Sequence, residues 1–179
     1  MQGSSQLIVE RLHIGGKQPM AGWHIVNIQP GAHVDFVGSM TDLSRFPDDS
    51  ITEVYASHCL EHLGYDRDVL IALKEIRRVL KPGGLLRLSV PDLDILCRLF
   101  IREDRDVADK IHIMRIMFGG RTDPYDAHLV GLNYEILAGF VTGAGFQTIH
   151  RVKEFGIFND ASSLKLFGVM ISLNVEVKK

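Results

Sequence analysis

A chain of 179 residues, 46% hydrophobic, can bury the core of one domain, and none of its apolar runs approaches the ~20 residues needed to cross a bilayer. Its formal net charge of −2, with acidic and basic residues interspersed, excludes the electrostatic footprint of a nucleic-acid binder. Two cysteines, Cys59 and Cys97, make no disulfide framework, and Met1 to Ser5 lacks the hydrophobic segment of a secretion signal, which together predict a cytoplasmic α/β domain spanning 1–179.

Leu7-Ile8-Val9 and Leu12-His13-Ile14 read as a first strand that ends at Gly15-Gly16. Trp23 to Ile28 reads as a second strand and Val34 to Val37 as a third. Only Gly15 to Gly22 separates the first two, too little for the helix that normally makes a parallel crossover, so either the crossover is a loop or one strand is misassigned. Glycines at 15 and 16 suit a backbone that a nucleotide-like ligand approaches closely, and a plain turn is the alternative. Thr41 to Ser50 carries the turn chemistry of Pro47-Asp48-Asp49.

The stretch from Ile51 to Val90 is the most regular. A β-rich run, Glu53 to Ser57, leads into the polar turn Ser57-His58-Cys59-Leu60-Glu61-His62. Val69, Leu70, Leu73, Ile76, Val79 and Leu80 then recur at helical spacing, with Lys74, Glu75, Arg77 and Arg78 opposite. Lys81-Pro82-Gly83-Gly84 stops that helix and Leu85 to Val90 makes another strand. Strand, helix and strand of these lengths predict a βαβ unit with parallel strands, its site at the carboxyl ends.

Asp92 is the expected N-cap of a helix over Leu93 to Ile101. Arg102 to Asp106 is a charge run, most simply a solvated surface, and Ile111 to Phe118 is apolar enough for a helix packed over the site, ended by Gly119-Gly120. Arg121 to His128 is polar, turn-forming and aromatic. A helix over Asn133 to Thr142 turns Leu137 and Phe140 inward, and Gln147 to Phe155 and Leu166 to Val177 alternate as two final, antiparallel edge strands.

His58-Cys59-Leu60-Glu61-His62 matches the H-x-x-E-H pattern of some zinc peptidases, a pattern that needs its residues inside a helix. A strand-like run ends directly before His58, so its two histidines are not expected on one helical face, and no metal site is expected.

Phe46-Pro47-Asp48-Asp49-Ser50, then Ser57-His58-x-Leu60-Glu61-His62, then Glu75-Ile76-x-Arg78-Val79-Leu80-Lys81-Pro82-Gly83-Gly84 resembles the middle of a class I S-adenosylmethionine-dependent methyltransferase. The similarity is closest to the small "type 11" predicted methyltransferases, and a weaker likeness runs from about Leu12 to Phe158. The resemblance implies a Rossmann-like, seven-stranded, mostly parallel sheet in the order 3-2-1-4-5-7-6, the last strand antiparallel, with helices on both faces and thinned at its amino end. It favours a loop as the first crossover and implies S-adenosylmethionine as cofactor. It assigns Gly15 and Gly16 to the cofactor loop, with Lys17 where a glycine is usual. Asn27 falls where an acidic residue usually holds the ribose, and Ser39 where an acidic residue usually meets the adenine, with Met40 as apolar wall and backbone donor. Ser57 and His58 would flank the methionine moiety.

His62 would lie nearer the acceptor, where a neutral imidazole could take a proton; a cap or supporting hydrogen bond is the alternative. Glu61 would be a helix-start carboxylate. An insertion at about 102–132 would form an acceptor lid bearing Tyr125 and His128. The implied function is methyl transfer to a small-molecule acceptor, by association a sugar or cell-envelope precursor. The departures at Lys17, Asn27 and Ser39 support the alternative of a non-catalytic binding or scaffold domain. The oligomeric state is left open.

Overall fold

The computed structural model describes residues 9–179. Leu7 and Ile8 of the expected first strand lie outside the described residues, and β1 runs over Arg11–Ile14. It is followed by β2 (His24–Asn27) and a two-residue β3 (Phe36–Val37), with a loop and no helix between β1 and β2. Next come β4 (Ile51–Ser57), a single 3-10 turn (Leu60–His62), helix α1 (Asp68–Val79) and β5 (Leu80–Pro91). The remaining chain forms α2 (Leu93–Phe100), α3 (Val107–Phe118), α4 (Tyr134–Gly143), β6 (Thr148–Val152), a second 3-10 turn (Ala161–Ser163), β7 (Lys165–Leu166), β8 (Val169–Met170) and β9 (Ser172–Lys178).

Seven strands share one sheet in the order β3-β2-β1-β4-β5-β9-β6. The first five are parallel, and β9 is antiparallel to both β5 and β6. This is the expected order once the last strand is renumbered. Alternation along the strands sorts the two faces. Leu12, Ile14, Val54, Ala56, Leu86, Leu88, Val175 and Val177 join one core with Val69, Leu73 and Ile76 of α1 and Leu137 and Val141 of α4. The intervening residues His13 and Tyr55 point the other way, into an aromatic cluster with Trp23 and Phe158. That cluster draws Phe158 from the loop before the second 3-10 turn.

The structure corrects three expectations. The final strand begins at Ser172, because β7 and β8 form a separate hairpin. Phe167 and Gly168, both left-handed at φ 51 and 79, make the tight turn between them. Helix α3 does not cover the site; it buries Ile113 against Leu96 and Leu99 of α2, and none of its residues lines the cavity described below. Within the charge run, Arg105 is tied down, its guanidinium 4.0 Å from the Phe167 ring centre.

Asp92 caps α2 as expected, accepting from the backbone N–H groups of Asp94 and Ile95. The Glu75-x-x-Arg78 pair has a structural use. Arg78 binds Glu75 and Asp48 and donates to the carbonyls of Phe46 and Leu43, which pins the 41–50 loop to α1.

Candidate active site

The carboxyl ends of β1 to β4 open into a cavity of about 350 Å³, within the range of small-molecule sites. Ile14, Gly15 and Lys17 enter it after β1, Asn27 to Gln29 from the end of β2, Gly38 to Met40 after β3, and His58 and Cys59 after β4. Residues 123–127 and Leu129 close the far side beside His62 and Leu63.

Gly15, Asn27, Ser39, Met40, His58, His62 and Tyr125 therefore line one cavity. Gly16, Ser57 and His128 stand just behind its wall. The Gly16 carbonyl accepts from Asn27 Nδ2 at 3.1 Å, and the Ser57 carbonyl accepts from the Cys59 thiol at 3.2 Å. His128 meets His62 edge-on with ring centres 4.7 Å apart.

Each glycine in the loop has a packing reason. Gly15 is left-handed at φ 75, and a side chain there would run into the Cys59 sulfur. A side chain on Gly16 would meet the His13 ring. The departures from the family pattern also have structural uses. The Asn27 amide is nearly buried; its Oδ1 accepts from the Gln29 N–H at 2.9 Å while its Nδ2 braces Gly16. The Ser39 hydroxyl is engaged by Thr41, 2.8 Å from the Thr41 hydroxyl. One lone pair of Asn27 Oδ1, the apolar walls of Ile14, Met40 and Leu63, and the open space around Gly38 remain for a nucleoside.

His58 sits at φ 52 directly after β4. The Ser172 hydroxyl donates to the Ala161 carbonyl at 2.7 Å, so His58 Nε2, 2.9 Å away, must donate to that oxygen. Its other nitrogen, Nδ1, then turns a lone pair toward Glu61 Oε1 at 3.4 Å. Burial holds the His58 pKa down to about 4 and pushes that of Glu61 up to about 8. Glu61 lies in the 3-10 turn and does not cap α1, which begins at Asp68; both of its carboxylate oxygens are buried without a partner among the described residues. The Glu61 backbone carbonyl accepts from Leu129 and Val130, which fixes the 121–132 segment against this turn.

His62 Nδ1 donates to the Ala127 carbonyl at 3.1 Å, leaving Nε2 as the nitrogen free to act. His128 is held below the ordinary imidazole range by burial and then by His62, against the opposing effect of the Met117 and Ile116 carbonyls. Tyr125 is half exposed at the rim. Sequence reasoning missed Cys59 as a wall residue and Glu61 as a partnerless carboxylate. Neither carries a local signal, since both roles depend on segments distant in the chain.

Residues 21–88, under half of the chain, match the family described as "Methyltransferase domain". Among solved structures, the fold is similar to a SAM-dependent methyltransferase from Archaeoglobus fulgidus at 16% identity and TM-score 0.57, over 95% of this chain and 86% of that one. A SAM-dependent methyltransferase from Methanosarcina mazei matches at 18% identity and TM-score 0.57, over 95% and 92%. One from Mesorhizobium loti matches at 14% and 0.57, over 95% and 90%. At these identities the likeness is one of fold. No curated protein matches the sequence. The chain thus has the fold of the class I S-adenosylmethionine-dependent methyltransferases and carries, over residues 21–88, a segment that matches the methyltransferase domain family.

Proposed function

We propose that the chain transfers a methyl group from S-adenosylmethionine to a small-molecule acceptor bearing a hydroxyl, a sugar or cell-envelope precursor being the class that related small methyltransferases suggest. The observation that carries this reading is the gathering of Gly15, Asn27, Ser39, Met40, His58, His62 and Tyr125 around a single cavity. When bound, the cofactor supplies a methyl on a sulfonium, which is displaced in line. Most of what the protein must do is align acceptor and methyl. Asn27 would offer a lone pair to the ribose, Met40 and Ile14 would wall the base, and His58 would flank the methionine end with Ser57 behind it. An oxygen acceptor must shed its proton, and His62 with His128 behind it is the part of the wall suited to draw it off. Tyr125 closes the acceptor side at the rim.

Isothermal titration with S-adenosylmethionine and S-adenosylhomocysteine tests the reading. Saturable binding of one equivalent is expected. No heat and no thermal shift at millimolar ligand would overturn it in favour of a scaffold domain. That second reading has its own support, since the Asn27 and Ser39 side chains are both engaged within the fold and Lys17 replaces a glycine.

A further inference from the structure

Glu61 is 1% exposed, and neither carboxylate oxygen has a hydrogen-bond partner among the described residues. A charge buried in that way is strongly unfavourable unless a proton or a cation neutralises it. One ligand atom from each of Glu61, His62 and His128 lies within 4.8 Å of the other two. His62 already gives its Nδ1–H to the Ala127 carbonyl, the support that metal-bound imidazoles characteristically have. The Leu129 N–H, 2.8 Å from the Glu61 carbonyl, locks His128 in place beside the pair.

We infer that Glu61, His62 and His128 form a site for a divalent cation of the zinc class at the acceptor end of the cavity. Two imidazoles favour zinc and its transition-metal neighbours over magnesium or calcium, which prefer oxygen. Three protein ligands leave a position open, as in catalytic zinc sites, and His62 places that position at the cavity wall. Ligand atoms on a tetrahedral zinc ion stand ~3.4 Å apart, given bonds of ~2.0–2.1 Å, so binding draws the three groups together. The set is not the H-x-x-E-H pattern. The left-handed backbone of His58 directs its ring to Ser172, and His128 takes its place.

This deepens the proposed function and rests on it for the reaction. The imidazole pair acts with Glu61 through a cation instead of taking the proton itself. An acceptor hydroxyl at the open position loses its proton to solvent more readily. Its oxygen lone pair then forms the O–C bond as the C–S bond breaks, and that bonding pair returns to sulfur.

The test is titration of EDTA-treated full chain with Zn²⁺. One equivalent should bind, and Glu61→Gln and His128→Ala should each weaken it by more than ~100-fold, since even supporting residues are worth 10–100-fold. Co²⁺ added to the unaltered chain should give the visible absorption of a nitrogen-ligated site, so the outcome does not depend on either variant folding. No stoichiometric Zn²⁺ and no such spectrum would overturn the inference and leave Glu61 a buried acid protonated toward His58. Equal affinity in both folded variants would overturn it as well. S-adenosylhomocysteine binding by the metal-stripped chain is measured separately, and its absence would sink the cofactor reading alone.

Discussion

The Cys59 sulfur occupies the space that a side chain on Gly15 would need. The two residues leave different strands, β1 and β4, and their contact seats the Gly15-Gly16 loop on the turn that bears His58. Cys59 Sγ lies within reach of the carbonyls of Ile14 at 3.4 Å and Ser57 at 3.2 Å. Burial pushes the thiol pKa up, so it stays protonated and keeps its donor.

Gly15→Ala should therefore destabilise the fold by about 2–5 kcal/mol, combining ~1–2 for a left-handed alanine with ~1–3 for overpacking. In a Cys59→Ala background only the backbone part should remain, about 1–2 kcal/mol. Urea unfolding of the four proteins measures the difference. An equal cost in both backgrounds would show that Cys59 does not set the need for glycine at 15.

Asn27→Asp separates the ribose from the strut. A carboxylate cannot donate, so the Gly16 carbonyl loses its partner and the melting temperature should fall, by an amount corresponding to about 1–3 kcal/mol. The folded fraction should nonetheless bind S-adenosylhomocysteine about 1–2 kcal/mol more tightly, because a charge-assisted bond to a ribose hydroxyl is the stronger one. Unchanged affinity per folded molecule would place the ribose away from Asn27.

The strand, helix and strand between Ile51 and Val90 were legible because their signals are local: periodicity, a Pro-Gly-Gly stop and β-rich ends. The sheet order came from family resemblance, since no local pattern dictates that β9 inserts between β5 and β6. The Lys165–Met170 hairpin escaped because it needs Phe167 at positive φ, which aromatic residues seldom adopt. Ile111 to Phe118 is apolar, yet composition does not say that α2 is its partner. Glu61 looked like a helix-start carboxylate because no local pattern shows that Leu129 and Val130, far along the chain, bond to its backbone carbonyl. The nearness of His128 to His62 has the same long-range origin.

Arg78 provides a test of how the 41–50 loop is held. It donates to Glu75, Asp48 and two loop carbonyls, and its own pKa is raised chiefly by the Glu75 bond. Arg78→Met keeps the stem and deletes those bonds. Stability should fall by about 2–4 kcal/mol, the range for a broken partly buried network. Leu43, Phe46 and Met40 share one core, so hydrogen exchange should rise first in residues 41–50. Uniform exchange across the chain would mean that Arg78 supports the whole domain and not this loop.

His13 sets an acid limit on stability. It is nearly buried, its ring centre 3.9 Å from that of Phe158 and edge-on to Tyr55 at 5.1 Å, and its Nδ1 has no partner among the described residues. Burial lowers its pKa from 6.5 to about 4, outweighing the opposite pull of the Asp160 carboxylate. The native state therefore holds His13 neutral while the unfolded chain protonates it near pH 6.5. Between pH 6.5 and about 4 the unfolded state binds the extra proton, so stability is present above that window and drains away as pH falls through it. At 1.36 kcal/mol per pKa unit, the full loss is on the order of 3 kcal/mol. His58 is depressed in the same direction and Glu61 raised in the other, so the unaltered chain alone does not isolate His13. His13→Phe does, because it keeps an aromatic ring against Phe158 and Tyr55 and leaves the other two groups in both proteins. The stability of His13→Phe relative to the parent chain, from urea unfolding at pH 7.5 and 4.5, should shift in favour of the variant by about 2–3 kcal/mol on acidification. A difference that does not change with pH would mean that His13 takes up its proton at the same pH in the native and unfolded states, its burial offset by the Asp160 carboxylate.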